Sequence, residues 1–147
     1  MYYDGSNLDK FVKAQSVDYA TAYREISSGR KRSHWIWYIF PQMQGLGMSH
    51  MANYYGIRDL EEAKDYMAHP VLGPRLIEIS EALLALSSSD PGAVMGYPDD
   101  LKLCSCMTLF ELAAPEEKVF SRVLDKFFNG RRDNATLRML GINKKDT

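Results

Sequence analysis

The chain has 147 residues, 46% of them hydrophobic and 25% charged, which fits one globular domain with a sizeable core and excludes a disordered or fibrous chain. Eighteen lysines and arginines against nineteen aspartates and glutamates give a net charge of −1, so no overall electrostatic pull towards nucleic acid or an anionic membrane is expected. No run approaches the roughly 20 apolar residues of a membrane span, and the opening MYYDGSNLDK has neither half of a secretion signal, so a cytoplasmic protein is expected.

Taken in chain order, the pattern is helical throughout. Asn7 can cap a first helix reaching Gln15, with Leu8, Phe11 and Val12 on one face. Asp18 can cap a second carrying Tyr19, Tyr23 and Ile26, and Gly29 stops it. Residues 34–40 are apolar on nearly all sides and end at Pro41; so short a run fits a buried helix or strand, and helix is preferred. Ser49 can cap a short helix through Tyr55, closed by Gly56, and Asp59 caps LEEAKDYMAH with Glu62 as the capping-box residue. RLIEISEALLALSS follows Pro70 and Pro74 and carries Leu76, Ile79, Leu83 and Leu86 as core. SSSDPGAVMGYPDD allows one helical turn within a loop. DDLKLCSCMTLFELAA, APEEKVFSRVLDKFF with Pro115 in its first turn, and NATLRML complete the chain. With no second convincing strand the expectation is all-α: one compact domain over residues 1–147, of about eight short helices.

The densest chemistry lies in SGRKRSHWIWYIFPQMQGLGMSH, residues 28–50. Arg30 and Lys31 follow a helix-terminating glycine, where cations oppose the helix dipole or, alternatively, grip a phosphate or carboxylate with help from Ser33. Trp35 and Trp37 diverge on a helix, so both indoles cannot share one core stripe; core or interface packing competes with a stacking platform for a ligand ring. His34 reads first as a structural histidine and second as a proton carrier. Gly45-Leu46-Gly47 before Ser49 follows no strand and matches no phosphate-binding fingerprint.

The second stretch is YPDDLKLCSCMTLFE. Asp99, Lys102, Ser105 and Thr108 place a polar stripe beside Leu103, Met107 and Phe110, either a solvated face or the wall of a polar pocket in which Asp99 would be a general base. Cys104 and Cys106 diverge on a helix and are expected to be free; with no second cysteine pair, and histidines 34, 50 and 69 in no ligand spacing, no metal site or cofactor is expected. Asn134-Ala-Thr136 is a glycosylation pattern by coincidence.

The ordered motifs FVKAQ, GRKRSHWIWYIFPQ, GLGMS, HPVLGPRL, KLCSCMTLF and VLDKFFNG resemble the bacterial family labelled domain of unknown function 1810, whose members are sometimes mislabelled as calpastatin. The resemblance runs from Leu8 to about Leu140 and implies a single, mainly helical domain with no assigned reaction. The family has serine at Cys106 and often a basic residue at Cys104. Matching polar positions, among them Lys31, His34, Gln42, Ser49, Lys102, Ser105, Thr108, Asp125 and Lys126, are the ones packing explains least.

The functional expectation is a small anionic, nucleotide-like ligand held in a basic and aromatic cleft, with Arg30 and Lys31 gripping charge, Trp35 or Trp37 stacking, and Gln42, Ser49, Lys102 and Ser105 orienting polar groups. His34 or Asp99 would move a proton if a reaction occurs. The alternative is an interaction module whose aromatic segment docks a partner protein or a second copy of the chain. Single-stranded RNA finds aromatics and local charge here but no net basic balance. The two motif segments are expected to meet in space, and Lys31, taken as exposed, is expected to contribute little to stability.

Overall fold

The computed structural model describes residues 6–142. It contains nine helices in that range: α1 (Ser6–Ser27), α2 (Ile36–Ile39), α3 (His50–Tyr54), α4 (Leu60–Ala68), α5 (Leu72–Leu84), α6 (Pro91–Met95), α7 (Asp99–Ala113), α8 (Val119–Phe128) and α9 (Asn134–Met139). No strand occurs among the described residues; the nearest approach is one parallel bridge between Met43 and Ile57, closed by Ile57 N–H on Gln42 O and Gln44 N–H on Ile57 O.

The apolar helix α7 is the hub. Leu103, Cys106, Met107, Leu109 and Phe110 are all sealed from solvent, and α4, α6, α8 and α9 pack around them. The second layer is α1 and α5, with α5 bridging to α4 and α8 and α1 carrying α2. Each fully buried Leu or Phe stabilises the fold by roughly 1.5–3 kcal/mol, set against the conformational entropy of ordering the chain.

The two helices expected over residues 7–28 are one, 22 residues long, and Asn7 and Asp18 lie inside it rather than capping. Leu8, Phe11, Gln15, Ala22 and Ile26 form a single buried stripe that a break at Asp18 would destroy. Asp18 accepts a hydrogen bond from the Tyr38 hydroxyl instead, and Gln15 donates Nε2 to Tyr38 O at 2.8 Å and to the Tyr66 hydroxyl at 3.0 Å. The stop at Gly29 is as expected: with φ of +95°, Gly29 donates to Ile26 O and Arg30 to Glu25 O, the paired closure of a Schellman motif.

Residues 34–40 give only one turn, α2, flanked by non-helical Trp35 and Phe40. Ser49 caps α3 through Ala52 N–H, and Asp59 caps α4 through Glu62 N–H while Glu62 reaches back to Arg58 N–H. Helix α5 starts two residues before Pro74, within the first turn where a missing N–H costs nothing, and His69 Nδ1 accepts from Val71 and Leu72. Helix α8 starts at Val119, so Pro115 sits in the preceding turn and not in the helix. Lys126 donates to the carbonyls of Leu84 and Leu86 and so closes the C-terminal end of α5. No helix among the described residues is long and apolar enough to cross a membrane.

Candidate functional site

The loop that follows α1 is held by one side chain. Glu25, buried in the last turn of α1, accepts hydrogen bonds from Arg32 N–H at 2.8 Å, Ser33 N–H at 3.0 Å, the Ser33 hydroxyl at 2.5 Å and the Trp35 indole Nε1 at 2.9 Å. Burial alone would raise its carboxyl; the Ser33 hydroxyl, the Arg32 N–H and the Trp35 indole outweigh that and hold it down to about 2, from an ordinary 4.5. Lys31 N–H donates to Val94 O at 2.7 Å, which fastens the same loop to α6. This frame places Lys31 and Trp37 against the first turn of α7.

There the two motif segments meet. Lys31 Nζ lies 2.9 Å from Asp99 Oδ2, and Lys102 Nζ lies 3.6 Å from Asp99 Oδ1, so one carboxylate serves two ammonium groups. Each ammonium also faces an indole: Lys31 Nζ is 4.8 Å from the Trp35 ring centre and Lys102 Nζ is 5.5 Å from that of Trp37. The Lys31 side chain is only 6% exposed and donates to Ser33 O as well, so its charge is spent within the molecule, not held out in solvent as expected.

The remaining candidates divide. Trp35 is 1% exposed and packs on Phe40, its N–H committed to Glu25, so its ring belongs to the core. Trp37 is half-buried, and its Nε1 is the one buried side-chain nitrogen or oxygen among the described residues with no hydrogen-bond partner. Trp37, Gln42, Lys102 and Tyr55, with Ile36, Phe40 and Ala52, line a cavity of about 10 Å³. Arg30 is exposed and lines, with Lys31, a separate cleft of about 350 Å³ against α6. His34 is exposed. Ser49 is occupied in capping α3, and the Ser105 hydroxyl turns back on Leu101 O at 3.1 Å; neither joins the cluster through these bonds. Both cysteines are free; burial pushes the Cys104 thiol up to about 11 and raises the sealed Cys106 thiol as well. Among the described residues no three His, Cys, Asp or Glu side chains converge as a metal site requires.

Sequence reasoning missed two parts of this arrangement. Glu25 carries the loop, and the signal was an acidic residue on the apolar stripe between Ala22 and Ile26. The other part lies half a turn around α7, where residues 104, 108 and 111 share a face opposite Asp99 and Lys102 at about 100° per residue. On that face Arg132 grips Glu111 with Nε on Oε1 at 2.9 Å and Nη2 on Oε2, and two clefts of about 740 and 420 Å³ open on either side of the loop 130–134. The polar stripe of α7 therefore serves two regions, not one.

Comparison with known proteins places this architecture. The crystal structure of the conserved hypothetical protein Rv1873 from Mycobacterium tuberculosis superposes with a TM-score of 0.92 at 42% sequence identity, covering 95% of this chain and 100% of that one. No curated protein matches the chain. Residues 5–140 match the family described as protein of unknown function (DUF1810), over the same span that holds the loop, the ion row and the hub helix. The chain belongs to the DUF1810 family.

Proposed function

We propose that the protein binds a small anionic ligand at the face where Trp37 and Lys102 meet, with one ligand oxygen entering the cavity they share. The observation that carries this reading is the unpartnered indole N–H of Trp37. A buried donor left unsatisfied costs about 1–3 kcal/mol, so the site asks for an acceptor. Its neighbours point the same way: an indole N–H and an ammonium can only donate, and Gln42 supplies an amide beside them. A cavity of about 10 Å³ admits a single oxygen, of a phosphate, a carboxylate or water, while the body of the ligand stays outside on the Trp37 ring and beside Lys102. Lys31 and Asp99 hold the geometry; neither is the grip. The free thiols of Cys104 and Cys106 suit a cytoplasmic setting, and reducing agent should leave the melting temperature unchanged.

The test is a thermal-shift screen against nucleotides and sugar phosphates. A ligand at a hundred times its dissociation constant adds about 2.7 kcal/mol of stability, a shift of several degrees for a domain this size. Trp37→Phe, which removes the N–H and keeps a ring, should abolish the shift; no stabilisation across the panel defeats the proposal. A second reading, docking of a partner protein or a second copy, draws on Tyr97 and Leu101, 82% and 53% exposed on either side of Asp99. Light scattering that shows a concentration-dependent dimer, abolished by Leu101→Asp, would favour it.

A further inference from the structure

A much larger cavity lies away from the Trp37 face. A cleft of about 740 Å³ opens between the end of α7 and the loop ahead of α9, lined by Glu111, Leu112, Arg131, Arg132, Asn134 and Leu137. Its volume is within the range of small-molecule sites, roughly 300–1,000 Å³, whereas the Trp37 cavity holds about one atom. A second cleft of about 420 Å³ adjoins it, and Arg131, Arg132 and Asn134 line both.

The loop between them is rigidly made. Asn129 and Gly130 take left-handed backbone with φ of 55° and 76°, and a Cβ on Gly130 would come within 3.2 Å of Asp125 Oδ1. Arg132 is committed to Glu111 and to Gly130 O, and the Asp125 carboxylate lies near enough to raise its pKa further. Asp133 N–H donates to Thr108 Oγ1 at 2.9 Å, and the Asp133 carboxylate caps α9 by accepting from the Thr136 N–H at 3.0 Å and the Thr136 hydroxyl at 2.6 Å. The backbone of Arg131 is pinned on both sides, its N–H on Phe128 O and its carbonyl facing Cys104 Sγ. The Arg131 side chain is left over: it is exposed and joins none of the ion pairs found among the described residues. With the backbone pinned beside both clefts, a ligand has only the Arg131 side-chain rotamers left to order.

We infer that this cleft is a second binding site, distinct from the Trp37 face, for a small organic anion whose carboxylate or phosphate is gripped by Arg131 and whose apolar body lies on Leu112 and Leu137. The planar guanidinium fork suits either oxyanion, and Asn134 supplies a neutral amide at the cleft edge. Glu111 takes Arg132 as its ion-pair partner and the Asp133 carboxylate is occupied by Thr136, so Arg131 is the cleft cation that joins no ion pair among the described residues.

The full-length protein should be titrated with phenylbutyrate, phenyl phosphate and the neutral phenylbutanol while backbone amide resonances are followed. Saturable shifts confined to residues 111–112 and 130–137 are expected from the two anions, and the stronger of them assigns carboxylate or phosphate. Phenylbutanol, and either anion against Arg131→Gln, should bind about tenfold more weakly, with the variant's melting temperature unchanged because the side chain is exposed. Trp37→Phe should leave this binding intact. The inference fails if the shifts do not saturate at millimolar probe, if Arg131→Gln binds as well as the parent, or if the shifts centre on Trp37 and Lys102.

Discussion

The two polar regions on opposite faces of α7 are built from similar parts and differ in what they leave open. On one face Lys31, Asp99 and Lys102 form an ion row flanked by two indoles; on the other Glu111 and Arg132 form a bidentate pair beside the loop 129–134. The first is closely packed around its indoles, with a 6% exposed lysine, a sealed Trp35 and a cavity of about 10 Å³ at Trp37, the cleft of about 350 Å³ at Arg30 lying outside the ion row, against α6. The second has ion-pair side chains 36% and 21% exposed and opens onto about 740 Å³. Density of aromatic and basic residues along the chain thus marks a place where a loop is locked down, because large rings and long stems fill space. The cleft of about 740 Å³ has no aromatic ring in its lining.

The comparison breaks most easily at Glu25, where the largest effect is expected. Glu25→Ala strands four donors around a buried position and should cost about 3–5 kcal/mol in urea unfolding. A cost below about 1 kcal/mol would mean that the first region is not locked through this residue. The same carboxylate gives a pH signature. Its folded pKa is depressed, so its contribution is complete above about pH 4.5 and is lost as pH falls towards 2. The stability difference between the parent and Glu25→Gln should therefore shrink across that window, by on the order of 2 kcal/mol once solvent at the loop edge is allowed for.

Lys31→Ala should cost roughly 2 kcal/mol, because it leaves Asp99 with Lys102 alone at 3.6 Å and opens a gap beside Trp35. Arg132→Ala, its counterpart across α7, should cost only about 1 kcal/mol, since that pair is partly solvated. The reverse order in equilibrium denaturation would overturn the contrast between a packed and an open face. The smallest effect belongs to Trp37→Phe. Relief of the unsatisfied donor should roughly offset the apolar area lost with the smaller ring, so stability should change by no more than about 0.5 kcal/mol, while anion binding at that face is lost. A large destabilisation would show that the N–H has a partner, such as a bound water, that belongs to the fold.

Much of the local structure was legible because it rests on local rules. Ser49 and Asp59 cap the helices they precede, Gly29 ends α1 through a positive φ, and the stripe of Leu76, Ile79 and Leu83 is core. The break expected at Asp18 was wrong for a non-local reason: a residue that caps in isolation serves better mid-helix when a tyrosine hydroxyl from another segment needs an acceptor. The same holds for Trp35, a ring fit for stacking until a buried carboxylate ten residues earlier takes its N–H.

By itself the sequence determined an all-helical domain, since apolar periodicity and end signals act within a turn or two of chain, and it pointed to both motif segments because their polar residues exceed what one helix can satisfy. Only the tertiary structure decided how those residues are spent. Asp99 becomes a counter-ion for lysines on two segments, and Thr108 and Glu111 turn away to a loop that follows α8. Partner choice of that kind depends on which faces the packed core brings within about 3 Å of each other, and distance in space is not written in spacing along the chain.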